Sequence, residues 1–275
     1  MTSETLTTRA SWAEPAVAAA RAILRADGER ARTQRDAVFA FLVRVASAGL
    51  LYLTQIALAR WMGSYEYGIY VFVWTWVLVL GGLSHLGLNM AMIRLVPEYQ
   101  ETGELDRLRG LFFGGRIFAV VLSSLIAIAG VAAVNLWPGA LASPYGIPAL
   151  LALVCLPMYV LGDVQDGIGR GRAWMGIGLL PPYVLRPLLV LLTMLAAQAI
   201  DMPMVAATAV KAAILATWLS TILQTALVER QLGREVPAGP RTYHWRTWLV
   251  TALPLLVIGF SEIVLQNTDV LVVSR

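Results

Sequence analysis

The sequence predicts an all-α bundle of membrane-crossing helices, and three observations carry that expectation. Hydrophobic residues make up 58% of the 275 and charged residues 14%, well below the quarter that soluble domains carry, and mean hydropathy is +0.69. Apolar stretches recur along the whole chain, so it is not a soluble domain on one anchor. Arginines gather in alternate connections between those stretches. A net charge of +4 would suit nucleic acid on a soluble protein; here the arginine placement gives it another meaning, and no nucleic-acid partner is expected.

A bilayer-crossing helix needs about 20 mostly apolar residues. Seven segments qualify or nearly so: 37–60, 67–93, 111–135, 146–162, 174–200, 203–228 and 249–273. The arm before them holds "WAEPAVAAARAILRA", which suits a short helix on an anionic membrane surface or a solvated tail. "WMGSYEYG" separates the first two segments, and a charged 93–110 connection leads to the third. The fourth segment is the shortest. It contains the one cysteine, Cys155, in an apolar run, so no disulfide framework exists. No alternating strand pattern occurs, which excludes a barrel.

Basic residues mark the cytoplasmic side of a membrane protein. The arm has six arginines, at 9, 21, 25, 30, 32 and 35. The 93–110 connection adds Arg94, Arg107 and Arg109; 163–173 adds Arg170 and Arg172; 230–247 adds Arg230, Arg234, Arg241 and Arg246. The alternate connections, "WMGSYEYG", "LWPGALASPYGIP" and "IDMPM", contain none. The N-terminus is therefore expected in the cytoplasm. "ALA" at 57–59 imitates a signal-peptidase site, but the arm before it is too long and acidic. "GIGRGR" at 167–172 imitates a phosphate loop without the strand that such a loop needs. It reads as a tight basic turn.

Charges at membrane depth cost roughly 2.5–3.5 kcal/mol each and usually face a cavity or pathway. Arg44 lies about 10 Å into its span and shares a face with Gln55, three turns on. Arg116 lies roughly 8 Å in and is short enough of the centre to reach the headgroups. Arg186 is the deepest. It stands in "PPYVLRPLL", where three prolines leave backbone carbonyls unpaired, and it suits either pinning that kink or meeting an anion. Thr217, Ser220, Thr221 and Gln224 form one polar face of the sixth segment, suited to interhelical hydrogen bonds or to a wetted wall. In the seventh, Glu262, Gln266 and Asp269 recur at i, i+4, i+7. Two carboxylates on one stripe suit an ion pair with an intramembrane arginine or a proton or sodium site. No metal ligand set and no organic cofactor is expected.

Three stretches resemble a known family. "LTQIALARWMGSYEYGIYVFVW", "LGLNMAMIRLVPEYQETGELDRLRGLFF" and "DVQDGIGRGRAWMGIGLLPPYVLRPLLVL" are similar to segments of polysaccharide flippases in the multidrug/oligosaccharidyl-lipid/polysaccharide exporter superfamily. The resemblance covers about residues 36–275 and rests on placed Gly, Arg and Pro. It implies two six-helix lobes around a central cavity, of which this chain holds 36–229 as the first lobe. The arm is then 1–35, the inter-lobe connection 230–248, and 249–275 the first helix of a second lobe. Arg60 and Arg275 align in a faint internal echo, as expected of a chain interrupted where a repeat begins again.

The resemblance implies a flippase that carries an undecaprenyl-diphosphate-linked oligosaccharide across a bacterial inner membrane by alternating access, without catalysis. Arg44, Arg116, Arg186 and Gln55 would meet the substrate, and Glu262, Gln266 and Asp269 would couple it to Na+ or H+. The lipid bilayer, a glycan polymerase and export proteins are the expected partners. A cation-coupled drug or metabolite antiporter of the same superfamily is one alternative, and a non-transporting member of a glycan assembly complex another. A membrane enzyme fits poorly, because the outer connections are short and nearly uncharged; Asp163 and Asp166 are expected to pair with loop arginines.

Overall fold

Gly63 decides how the first long helix is used. The element α1 (Glu29–Ser84) is two helical arms joined at Gly63, which has φ 76° and ψ 166°, a positive-φ backbone that glycine adopts without a Cβ penalty. The chain doubles back there: the Tyr67 hydroxyl donates to Gln55 Oε1 at 2.5 Å. In a straight helix those residues would stand about 18 Å apart along the axis. The two arms are thus the first two expected crossing segments. The computed structural model describes the backbone of residues 29–273 and the side chains of 34–261, 264, 265 and 268.

The second crossing is broken near its middle. Leu86 (φ 48°) and Gly87 (φ 78°) interrupt it, and the Gly87 amide donates to His85 Nδ1 at 3.1 Å. The chain then resumes as α2 (Leu88–Glu101), followed by α3 (Leu105–Leu136), α4 (Gly146–Gly171) and α5 (Met175–Leu180). A π-helical turn, Pro181–Leu185, leads into α6 (Arg186–Ala199). The chain closes with α7 (Ala206–Glu235) and α8 (Trp245–Val273). No strand occurs among the described residues. Among the described residues five helical stretches are long and apolar enough to cross a bilayer, α1 and the continuous Met175–Ala199 among them; the described apolar part of α8, Trp245–Ser261, is shorter.

Helix α4 is the central post, packed against α1, α2, α3 and α7. Its lower half is buried from Val164 to Gly169. The fourth segment was expected to end at 162 with a basic turn beyond it. The helix instead continues to Gly171, and its glycines serve packing. A Cβ on Gly167 would lie 2.3 Å from Asn89 O, and one on Gly169 would lie 2.7 Å from Gly178 Cα. Outward faces carry Phe41, Leu125, Ile128 and Ile258, all more than half exposed, as lipid-facing residues should be.

The polar face of α7 is inside. Thr217, Ser220, Thr221 and Gln224 are buried; Thr221 donates to Met158 O at 3.1 Å and Gln224 to Ile177 O and Gly178 O at 3.3 Å. This stripe ties α7 to α4 and α5. One turn on, Gln165 Nε2 donates to Thr225 Oγ1 at 2.8 Å.

The connection 236–244 is a strap fastened across the start of α3. Thr242 N donates to Asp106 O at 3.0 Å, and Arg109 Nε donates to Pro237 O at 2.8 Å. Gly110 admits the contact, since a Cβ there would lie 1.9 Å from Thr242 O. Helix α8 then packs on α1 and α2, with Trp248 and Ala252 fully buried.

Candidate functional site

Two adjoining cavities, about 370 and 490 Å3, open between α1, α4, the π turn and α8, and they share Arg44, Leu78 and Tyr183. Each element delivers its side chains for a local reason. The first arm of α1 carries Arg44 and Gln55 on one face by helical periodicity. The π turn, a wider coil than an α-helix, presents Tyr183, with Arg186 following it. On α4, Tyr159, Asp163, Asp166 and Arg170 line the smaller cavity at spacings of four, three and four residues, which keeps them on one face. His85 enters from the break in the second crossing.

The charges divide into two kinds. Arg170 Nη2 is 2.6 Å from Asp166 Oδ2, and His85 Nε2 is 4.0 Å from Asp163 Oδ2. Arg170 and Asp166 neutralise one another, while His85 would be a charged partner for Asp163 only with its imidazole protonated. Arg44 and Arg186 instead rest on aromatic faces. The Arg44 guanidinium lies 5.1 Å from the Tyr183 ring centre, and that of Arg186 lies 5.1 Å from the Tyr159 ring centre. Neither forms an ion pair among the described residues. An arginine stacked on a ring is oriented but keeps its N–H fork available. The cavity is therefore suited to a planar or bidentate anionic group, with Tyr70, Trp74 and the two tyrosines offering flat apolar surface beside it.

Three of the four substrate candidates from the sequence thus line one cavity: Arg44, Gln55 and Arg186. The Arg186 side chain makes no hydrogen bond to the carbonyls of the proline turn among the described residues; its backbone N–H donates to Pro181 O. Arg116 lies elsewhere. Its Nε donates to Phe112 O at 3.0 Å and its Nη1 pairs with Glu229 of α7, in a separate cleft near the strap. The side chains of Glu262, Gln266 and Asp269 lie outside the described residues.

Asp163 and Asp166 were expected in a loop; they stand inside α4 because the helix runs nine residues past the expected end. Asp166 does pair with Arg170, while Arg172 pairs with Glu235 at the foot of α7. The cavity roles of His85, Tyr159, Asp163, Tyr183 and Arg170 were not foreseen. The helical spacing 159–163–166–170 was the available signal, and a glycine-rich stretch read as a turn concealed it.

The sequence pattern of the polysaccharide biosynthesis protein family matches residues 34–275. The chain belongs to this family. Comparison with curated proteins gives no match. Among solved structures, the fold is similar to one described as the outward-facing conformation of a multidrug resistance MATE family transporter of the MOP superfamily, with a TM-score of 0.65 and 16% identity. The likeness covers 88% of this chain and 54% of that one, so the chain spans about half the length of the transporter it matches. The fold is that of a multi-pass, all-α membrane bundle of the transporter type.

Proposed function

We propose that this family member contributes the first helical lobe of a transporter that moves a lipid-linked oligosaccharide across a bacterial inner membrane, with its N-terminus in the cytoplasm. The observation that supports this reading best is the pair Arg44 and Arg186, each held on a tyrosine and neither within ion-pair distance of a carboxylate among the described residues, with Asp163 and Asp166 acting on them only through space. A diphosphate offers paired oxygens to such forks. Aromatic walls suit sugar rings, which present apolar C–H faces. An undecaprenyl-diphosphate carrier would leave its chain in the bilayer while the headgroup crosses, and a glycan polymerase would receive the product. The process is transport and involves no catalytic step. Coupling to H+ or Na+ would act through carboxylates, with Asp163 beside His85 and the Glu262–Gln266–Asp269 stripe as the proposed sites.

Replacing Arg44 by Ala in the protein as expressed by its host should stop glycan delivery to the outer leaflet while leaving membrane insertion intact. Normal delivery would remove Arg44 from the substrate path. A second reading, a cation-coupled drug or metabolite antiporter, draws on Asp163 and Asp166 at the cavity wall. It predicts drug resistance on expression that is lost with Asp163→Asn, and no glycan defect on deletion.

A further inference from the structure

Across the bundle from the central cavity, α3, α7 and the strap enclose a second opening of about 470 Å3. Arg109, Arg116 and Arg241 line it against the single carboxylate of Glu229. It shares no lining residue with the central cavity. We propose that this cleft binds the phosphate headgroup of an anionic phospholipid.

The first support is position. Immediately along the chain from Arg241, Tyr243 stacks on Trp245, Trp248 meets both edge-on, and Phe118 packs against Trp245, with ring centres 4.7–6.4 Å apart. Such aromatic clusters gather at the membrane–water interface, which sets the cleft at headgroup level on the arginine-rich end of the bundle.

The second support is preorganisation. Arg109 is held by Asp106 at 2.6 Å and by two strap carbonyls, those of Pro237 and Pro240. Arg241 lies 4.1 Å from the Phe113 ring centre and makes no hydrogen bond among the described residues, so its whole fork is available. Gly239 matters to this arrangement: a Cβ there would lie 2.7 Å from Arg109 Nη1 and push the guanidinium aside. Arg109 and Arg116 each show only 14% side-chain exposure, so little rotamer freedom remains to be lost on binding.

The third support is the shape of the opening. The backbones of α3 and α7 do not approach each other closely; among the described residues the Arg116–Glu229 ion pair reaches across. The gap leaves a recess in which one phosphate could join Arg116 of α3 and Arg241, which rests on Phe113 of the same helix. Basic recesses between transmembrane helices bind anionic headgroups by this chemistry. The inference is independent of which substrate crosses the central cavity.

The test is retention of added phosphatidylglycerol against phosphatidylcholine by the purified protein in mild detergent, read by native mass spectrometry. Phosphatidylglycerol should be held at least about tenfold more tightly. Arg241→Gln, which removes no hydrogen bond, should reduce that retention about three- to tenfold, and adding Arg116→Gln should abolish the preference. Arg94→Gln, at an exposed position on α2, should change nothing. Equal retention of the two lipids, or unchanged phosphatidylglycerol retention in the folded double variant, would overturn the proposal. So would loss of binding to a short-chain prenyl diphosphate in Arg241→Gln with phosphatidylglycerol retention intact, because the cleft would then belong to the carried lipid.

Discussion

Replacing Gly87 by alanine tests the break in the second crossing and its contact with α8 together. At φ 78° an L-residue is disfavoured by about 1–2 kcal/mol. A Cβ there would also lie 2.3 Å from Ala252 O and 2.7 Å from Leu256 N. Both are backbone atoms of a helix, so neither can rotate away, and overpacking of this kind costs about 1–3 kcal/mol. The sum is a loss of roughly 2–5 kcal/mol. Gly63 supplies the control. Nothing lies within 4 Å of its added Cβ, so Gly63→Ala carries a backbone cost without a packing clash, about 1–3 kcal/mol at its φ 76°, ψ 166°. Tryptophan fluorescence during heating in mild detergent measures both. With about 2–4 °C per kcal/mol for a chain of this size, a loss of about 3 kcal/mol lowers the melting temperature by roughly 6–12 °C. A Gly87→Ala loss no larger than the ~1–2 kcal/mol of the backbone alone, about 2–8 °C, would refute the α8 contact. A Gly87→Ala melting temperature within about 1 °C of the parent would refute the geometry of the break.

Three further outcomes follow from the same reasoning. Thr225→Val leaves the buried Gln165 Nε2 unpaired and should destabilise by about 1–3 kcal/mol. Gln165→Leu, which removes the donor together with an Oε1 that has no partner, should cost less; the reverse order in unfolding assays would refute the assigned bond. Asp166→Asn strands Arg170 and should cost about 2–3 kcal/mol, allowing for the part-exposed arginine. Adding Arg170→Gln should restore part of that loss in a double-mutant cycle. Tyr183→Leu removes the ring beneath Arg44, an interaction of about 0.5–2 kcal/mol, and should lower transport about two- to thirtyfold in a glycan-delivery assay, while Tyr183→Phe retains most of it.

Hydropathy and arginine spacing revealed the helical order because bilayer thickness and loop charge act on short stretches of chain. The α7 stripe was legible for a similar reason: four polar residues at helical spacing must share one face. Arg116 shows where such reasoning stops. Counting residues gives its depth along α3, but its direction depends on Glu229, 113 positions later. Local pattern misled at 167–171, where glycines usually end helices. Here they permit Asn89 and Gly178 to approach the α4 backbone, and only the packed neighbours reveal that purpose. The pairing of Arg44 with Tyr183 and of Arg186 with Tyr159 likewise depends on how α1, α4 and the π turn meet.

The strap has a mechanical consequence. A slack linker absorbs displacement, whereas this one is tied to α3 through Thr242 and Arg109 and to the bundle core through Trp248. Its far end is therefore held to the bundle. Bending of α8 would concentrate at Pro254, inside that helix, where one backbone hydrogen bond is already missing. The strap thus acts as a clamp, with the compliant point displaced about nine residues along the helix it holds.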